Sequence, residues 1–161
     1  MDRSPRRLNL AAMILAAIAG TSLGCDGSIS TEPDDREVPF QTVYRSQLSE
    51  SRSELREVVE STGSWGALWD EIAGGPRPDV DFTRDMVILY GAGEQPNGCY
   101  EVEIRDIERR RGVIEVEVDL LVPGTGCVCT PVTTRPVHAV RTPRLSGPVD
   151  FDVERVTIRC T

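Results

Sequence analysis

The chain has 161 residues, enough for one ordinary domain with appendages. Its 18 basic residues are all arginine and stand against 26 Asp and Glu, a net charge of −8 that works against nucleic acid and anionic lipid headgroups as partners. The lack of any lysine also removes Schiff-base chemistry and phosphate-cradling lysine loops.

Residues 1–24 have the layout of a secretory signal peptide. Arg3, Arg6 and Arg7 precede an Ala-rich apolar run over residues 8–19, too short to span a bilayer. Thr21, Ser22, Leu23 and Gly24 then lead into Cys25, which resembles the bacterial lipobox, where the cysteine sulfur is acylated and becomes the first mature residue. Ser22 stands where leucine is more usual, and the Arg6-Arg7 pair lacks good flanks for twin-arginine export. The expectation is an exported lipoprotein of the bacterial cell envelope, lipid-anchored at Cys25 and facing the periplasm or the cell surface. Cleavage before Cys25 removes three Arg and one Asp, a net +2, and leaves −10. Residues 25–38 are then the lipidated cysteine and an acidic tether, polar and without hydrophobic period.

Residues 39–161 are expected to form the globular domain. Phe40, Val43, Tyr44 and Leu48 suggest a strand, followed by a polar turn. Leu55, Val58 and Val59 fit a helix or a strand equally. Ser64 is placed to cap a short helix, ended by Gly74-Gly75, in which Trp65, Leu68, Trp69 and Ile72 form one apolar stripe. Such a stripe is what a helix needs to lie on a sheet; a ligand platform is the less economical reading of the Trp pair. The uninterrupted apolar run Met86, Val87, Ile88, Leu89, Tyr90 predicts a central strand covered on both faces.

A loop rich in Gly and Pro over residues 91–98 leads into a probe of register, the hairpin GCYEVEIRDI–ERRRG–VIEVEVDLL. Tyr100, Val102 and Ile104 alternate with charges in one arm, and Ile114, Val116, Val118 and Leu120 do so in the other. A turn centred on Arg110 puts Tyr100 opposite Leu120, Val102 opposite Val118 and Ile104 opposite Val116, with Glu101 facing Asp119 and Glu103 facing Glu117. Those like-charge pairs are mildly destabilising; the favoured reading is a solvated strand face, the alternative compensation by Arg141, Arg155, a cation or a partner. Two further strands follow, one over residues 136–140 and one around Phe151, Val153 and residues 156–158. The fold class is therefore α+β, a mainly antiparallel sheet with one short helix packed on the hairpin's apolar face.

Setting Cys25 aside, Cys99, Cys127, Cys129 and Cys160 are an even set in an exported chain, which favours disulfides over a Cys3His zinc site with His138. Three pairings are open. A Cys127–Cys129 bond would close a very tight ring, and the hairpin brings Cys99 to the end of the sheet near Cys127 and Cys129. The preferred pattern joins Cys99 to one of that pair and Cys160 to the other.

The order W-x3-W, P-x-V-D-F-x3-M-V-I, a Gly-rich loop, G-x-Y-x-V-x-I, V-x-V and T-x2-P-V-H-x-V resembles the PrcB C-terminal domain family. The residues that carry it are Trp65, Trp69, Pro78, Asp79, Val80, Asp81, Phe82, residues 86–88, Gly98, Tyr100, Val102, Ile104, Val116, Val118 and residues 133–140. Members often have Gly-Gly-Tyr where this chain has Gly98-Cys99-Tyr100. The resemblance implies a small lipoprotein that associates with and stabilises a surface protease; it supplies no catalytic residues.

His138 is the single histidine, in an alternating segment that suits a sheet residue better than a general base. Downstream of the expected signal peptide no G-x-S-x-G, HExxH, Walker or dinucleotide pattern is present. Asp79-x-Asp81 and the acidic hairpin face lack the glycine-bracketed spacing of a calcium loop. The expectation is a non-catalytic protein-binding module with no cofactor and no metal, whose partner is another envelope protein, a protease first. The contact surface expected is the loop over residues 91–98 with that over residues 124–130, above all Gly91, Gly93, Glu94, Gln95 and Asn97 with Gly124, Thr125 and Gly126, because loops held by a rigid scaffold usually carry recognition. The competing class is a secreted small-ligand binder or hydrolase built on His138.

Overall fold

A computed structural model describes residues 36–160. The signal peptide, Cys25 and most of the tether lie outside the described residues. Strands β1 (Arg36–Glu37), β2 (Gln41–Ser46) and β3 (Glu54–Val59) are followed by helix α1 (Thr62–Ile72). Then come β4 (Asp85–Ala92), β5 (Glu101–Arg110), β6 (Val113–Pro123), β7 (Val137–Pro143) and β8 (Val149–Ile158). The fold begins inside the expected tether: β1 pairs with β5, and Val38 is buried in the core.

The single sheet read from the sequence is two four-stranded sheets, ordered β1-β5-β6-β8 and β2-β7-β4-β3. All pairings are antiparallel except β6 with β8, which is parallel. The sheets share one core. Val102, Ile104, Ile107, Ile114, Val116, Val118 and Leu120 from the hairpin sheet meet Met86, Ile88, Tyr90 and Val140 from the other.

The opposite face of β4 and β7 carries Val87, Leu89, Val137 and Ala139, and on it lies α1 with Trp65, Leu68, Trp69 and Ile72. The helix thus covers the β2-β7-β4-β3 sheet and not the hairpin, which corrects the expected placement. The reason lies in the strands: β4 and β7 are apolar at consecutive residues and so have two faces to bury, whereas the hairpin alternates and has one. At 11 residues α1 is marginal on its own and holds by this burial. Its cap is Ser61, not Ser64: the Ser61 hydroxyl accepts from Ser64 N at 3.2 Å. Both indoles are tied down as well, Trp65 Nε1 donating to Pro78 O and Trp69 Nε1 to Gly75 O, each at 3.0 Å. The ambiguous segment with Leu55 and Val59 is a strand because β4 offers it a partner along all six residues.

The hairpin register differs from the expected one. Arg111 and Gly112 form a two-residue turn with φ of 52° and 82°, the left-handed pair that a type I′ hairpin requires. Glu108, Arg109 and Arg110, expected in the loop, are therefore strand residues. Val102 faces Leu120 and Ile104 faces Val118, two residues from expectation and hence still on the same face. A bulge between Ile104 and Asp106 then lets Ile107, three positions on from Ile104, point inward opposite Val116. Asp106 closes it by accepting from Ile107 N at 2.8 Å.

Candidate functional site

The four cysteines pair as Cys99–Cys129 and Cys127–Cys160, with Cα separations of 5.5 and 5.1 Å. One of the two open cross-patterns is thereby selected, and the thiolates a Cys3His zinc site needs are absent. The bonds pull neighbouring cysteines in different directions, Cys129 to the start of β5 and Cys127 to the end of β8. Val128 between them is 98% exposed, a large apolar side chain held out on a cross-braced tripeptide.

Three loops are knitted together at this end of the molecule. Gln95 N donates to Thr134 O at 2.8 Å and Thr134 N to Gln95 O at 3.0 Å. Gly98 N donates to Thr130 O, and the Thr134 hydroxyl to Asn97 O. Arg135 N donates to Gln47 O and Ser49 N to Arg135 O, which brings in the segment around Leu48. Glu94 lies 3.6 Å from Arg135 Nε and 3.9 Å from Arg52 Nε. Leu48 (70% exposed) and Val132 (47%) join Val128 as large apolar side chains in contact with solvent.

The expected contact residues distribute unevenly. Gly91 is not in a loop: it is buried inside β4, paired with Leu55 and Val137, where an added Cβ would lie 3.4 Å from Leu55 Cβ. Gly93 is buried too, with φ of 64° and no room for a Cβ against Arg52 O at 2.9 Å. Gln95 and Asn97 hold the loops to one another, Asn97 also accepting from Cys99 N at 3.0 Å. Glu94, Thr125 and Gly126 are exposed, and Gly124 is half-buried against Ile158. Of the large apolar side chains exposed at this end, Val128 falls within the expected loop over residues 124–130, whereas Val132 and Leu48 lie outside the expected loops.

His138 is spent on structure. It is 2% exposed on β7, facing the hairpin sheet. Its Nδ1 accepts from Ile104 N at 2.9 Å, next to the bulge, which leaves the proton on Nε2 to be donated to Thr42 Oγ1 at 2.8 Å. Burial, and then the positive charge of Arg45, push its pKa down to about 4. Neither ring nitrogen is free to take a proton from a substrate in this arrangement. A broad depression of about 730 Å³ lies at the far end of the hairpin, lined by charges of both signs including Arg36, Glu37, Glu108 and Arg110; His138 does not line it.

Among the described residues the hairpin carboxylates are compensated by arginines of the two sheets, and Arg155 is not one of them. Arg105 lies 2.7 Å from Glu117 and 3.4 Å from Asp119, Arg45 bridges Glu101 and Glu103, and Arg110 pairs with Glu108 and Glu115. Arg141 turns instead to Gln41 and Asp85. Asp81, the other cation candidate, accepts from Thr83 N, Thr83 Oγ1 and Arg84 Nε, and these bonds hold its carboxyl below the usual range. It is a turn residue leading into β4.

No curated protein and no solved structure shows a significant match to the chain. A family model does, over the part of the fold that holds β4, the hairpin, the loops bearing Cys99, Cys127 and Cys129, and β7. Residues 86–143 of the chain match the family described as PrcB C-terminal, the family that the order of motifs resembles.

Proposed function

We propose that this chain is a non-catalytic, lipid-anchored binding module of the bacterial cell envelope, whose cysteine-end loops dock onto another envelope protein. The observation that carries the reading is Val128, 98% exposed and held by two disulfides that diverge from its flanking cysteines. Apolar side chains left fully in water on a rigid support are what a partner's pocket buries, and pre-ordering lowers the entropy lost on binding. The engagement of both His138 nitrogens supports a binding role over a histidine-based hydrolase. The PrcB C-terminal match makes a protease complex the first place to look for the partner.

The test is affinity capture from native envelope with wild-type chain, with Val128→Asp, and with residues 94–97 replaced by a polar linker. The reading expects a partner that the Val128→Asp variant loses. A partner list unchanged by both variants would remove the cysteine-end loops from the account. Anchoring is tested separately: Cys25→Ser should move the protein from the membrane fraction to the soluble one.

A further inference from the structure

Among the described residues the outer edge of β8 is open. This strand closes its sheet and pairs with β6 alone. Ile114 N donates to Pro148 O and Gly124 N to Ile158 O. A parallel pair engages alternate residues of each strand, so the even-numbered residues of β8 turn their backbone groups to β6. Val149, Phe151, Val153, Arg155 and Thr157 turn theirs away. Among the described residues one group reaches that edge, Arg56 Nη1, which donates to Phe151 O at 3.4 Å.

The side chains add a charge pattern. Val149, Phe151 and Val153 pack inward on the core, while Asp150, Asp152 and Glu154 stand exposed on the other face. The carboxylates of the neighbouring strand have arginine partners, but no described residue forms an ion pair with these three. A depression of about 300 Å³ lined by Arg110, Glu115, Glu117, Asp150, Phe151 and Asp152 adjoins them.

We propose that the β8 edge receives an extended segment of a partner protein with arginine or lysine at every second position, added to the sheet as a further strand. The unpaired backbone groups supply the template. The carboxylates choose the occupant. A second copy is opposed, because a two-fold antiparallel pairing through the odd-numbered residues and centred anywhere within residues 150–154 sets carboxylates of Asp150, Asp152 and Glu154 against one another. A basic strand turns each of those repulsions into an attraction. Arg155 lies level with buried Leu120, on the inward row of the strand, and a charge there confines the added strand to residues 149–154. The loops of the proposed function play no part in this, so either assignment can fail alone.

The experiment titrates the full chain, disulfides intact, with a nine-residue peptide alternating Arg and Val at low ionic strength. The control is the same composition written as an Arg block followed by a Val block. The alternating peptide should bind at least ten-fold more tightly and slow amide exchange at Val149, Phe151 and Val153. Val153→Pro, which removes an N–H that β6 does not use, should weaken it at least ten-fold; D150N/D152N/E154Q should weaken it and flatten its salt dependence. The exchange measurement needs no variant and stands if Val153→Pro misfolds. Equal binding of the two peptides, no binding, or binding without slowed exchange at those amides would overturn the proposal.

Discussion

The two sheets have four strands each and differ in what lies on their outer faces. The β2-β7-β4-β3 sheet is buried on both sides, by the other sheet and by α1, and its central strands are apolar at consecutive positions. The β1-β5-β6-β8 sheet buries one side and leaves the other uncovered by any further element among the described residues, with Glu103, Asp150 and Asp152 exposed and Glu117 and Asp119 part-buried beside Arg105. A strand covered twice has no side chain left to show a partner and serves as scaffold. A strand covered once carries charge and an edge at little cost to the core.

Four expected outcomes sharpen this contrast. The largest is on the doubly covered sheet, where Trp65→Ala removes a side chain buried to 1% and should destabilise by about 3–5 kcal/mol in denaturant melts. Removing the Cys127–Cys160 bond by double alanine substitution should cost about 2–4 kcal/mol, read in the same way, and should also loosen Val128.

The third outcome concerns the contact between the sheets at His138. Its folded pKa is lowered to about 4 from 6.5, so the unfolded chain binds the proton more readily between these values. Its share of stability is present above pH 6.5 and is lost as pH falls toward 4, with a slope of at most about 1.4 kcal/mol per pH unit. Protonation also removes the acceptor that Ile104 N uses. Stability against pH should be shallower in His138→Gln than in wild type within that window. Equal slopes would place the titration elsewhere. The smallest effect belongs to the bare face: Arg105→Gln breaks pairs at 2.7 and 3.4 Å, yet its half-exposed site should hold the loss to about 1 kcal/mol or less. A loss there rivalling that of Trp65→Ala would break the contrast.

Much of this contrast was legible in the sequence. The apolar run over residues 86–90 announced a strand covered twice, and the alternation in the hairpin announced one covered once. The partition into two sheets was not legible, because periodicity tells which residues turn inward and not which inward faces meet. Register slipped by two because Glu108, Arg109 and Arg110 read as loop, when Arg111 accepts the left-handed turn conformation beside Gly112. The bulge had a trace: Ile107 follows Ile104 at an interval of three, which strict alternation forbids. At the candidate site, Gly91 read as loop by residue type, though glycine also serves where Leu55 packs close to a strand backbone. Val128 lay inside the expected loop over residues 124–130, but its exposure follows from the two diverging disulfides, which spacing alone does not determine.

The central claim, that the cysteine-end loops are the docking surface, is tested most directly by photo-crosslinking in native envelope. A photoreactive residue is placed at position 128 in one variant and at Asp70, on the exposed side of α1, in another. The account predicts a discrete cross-linked partner from position 128 and none from position 70. An adduct from position 70 with none from position 128 would contradict it.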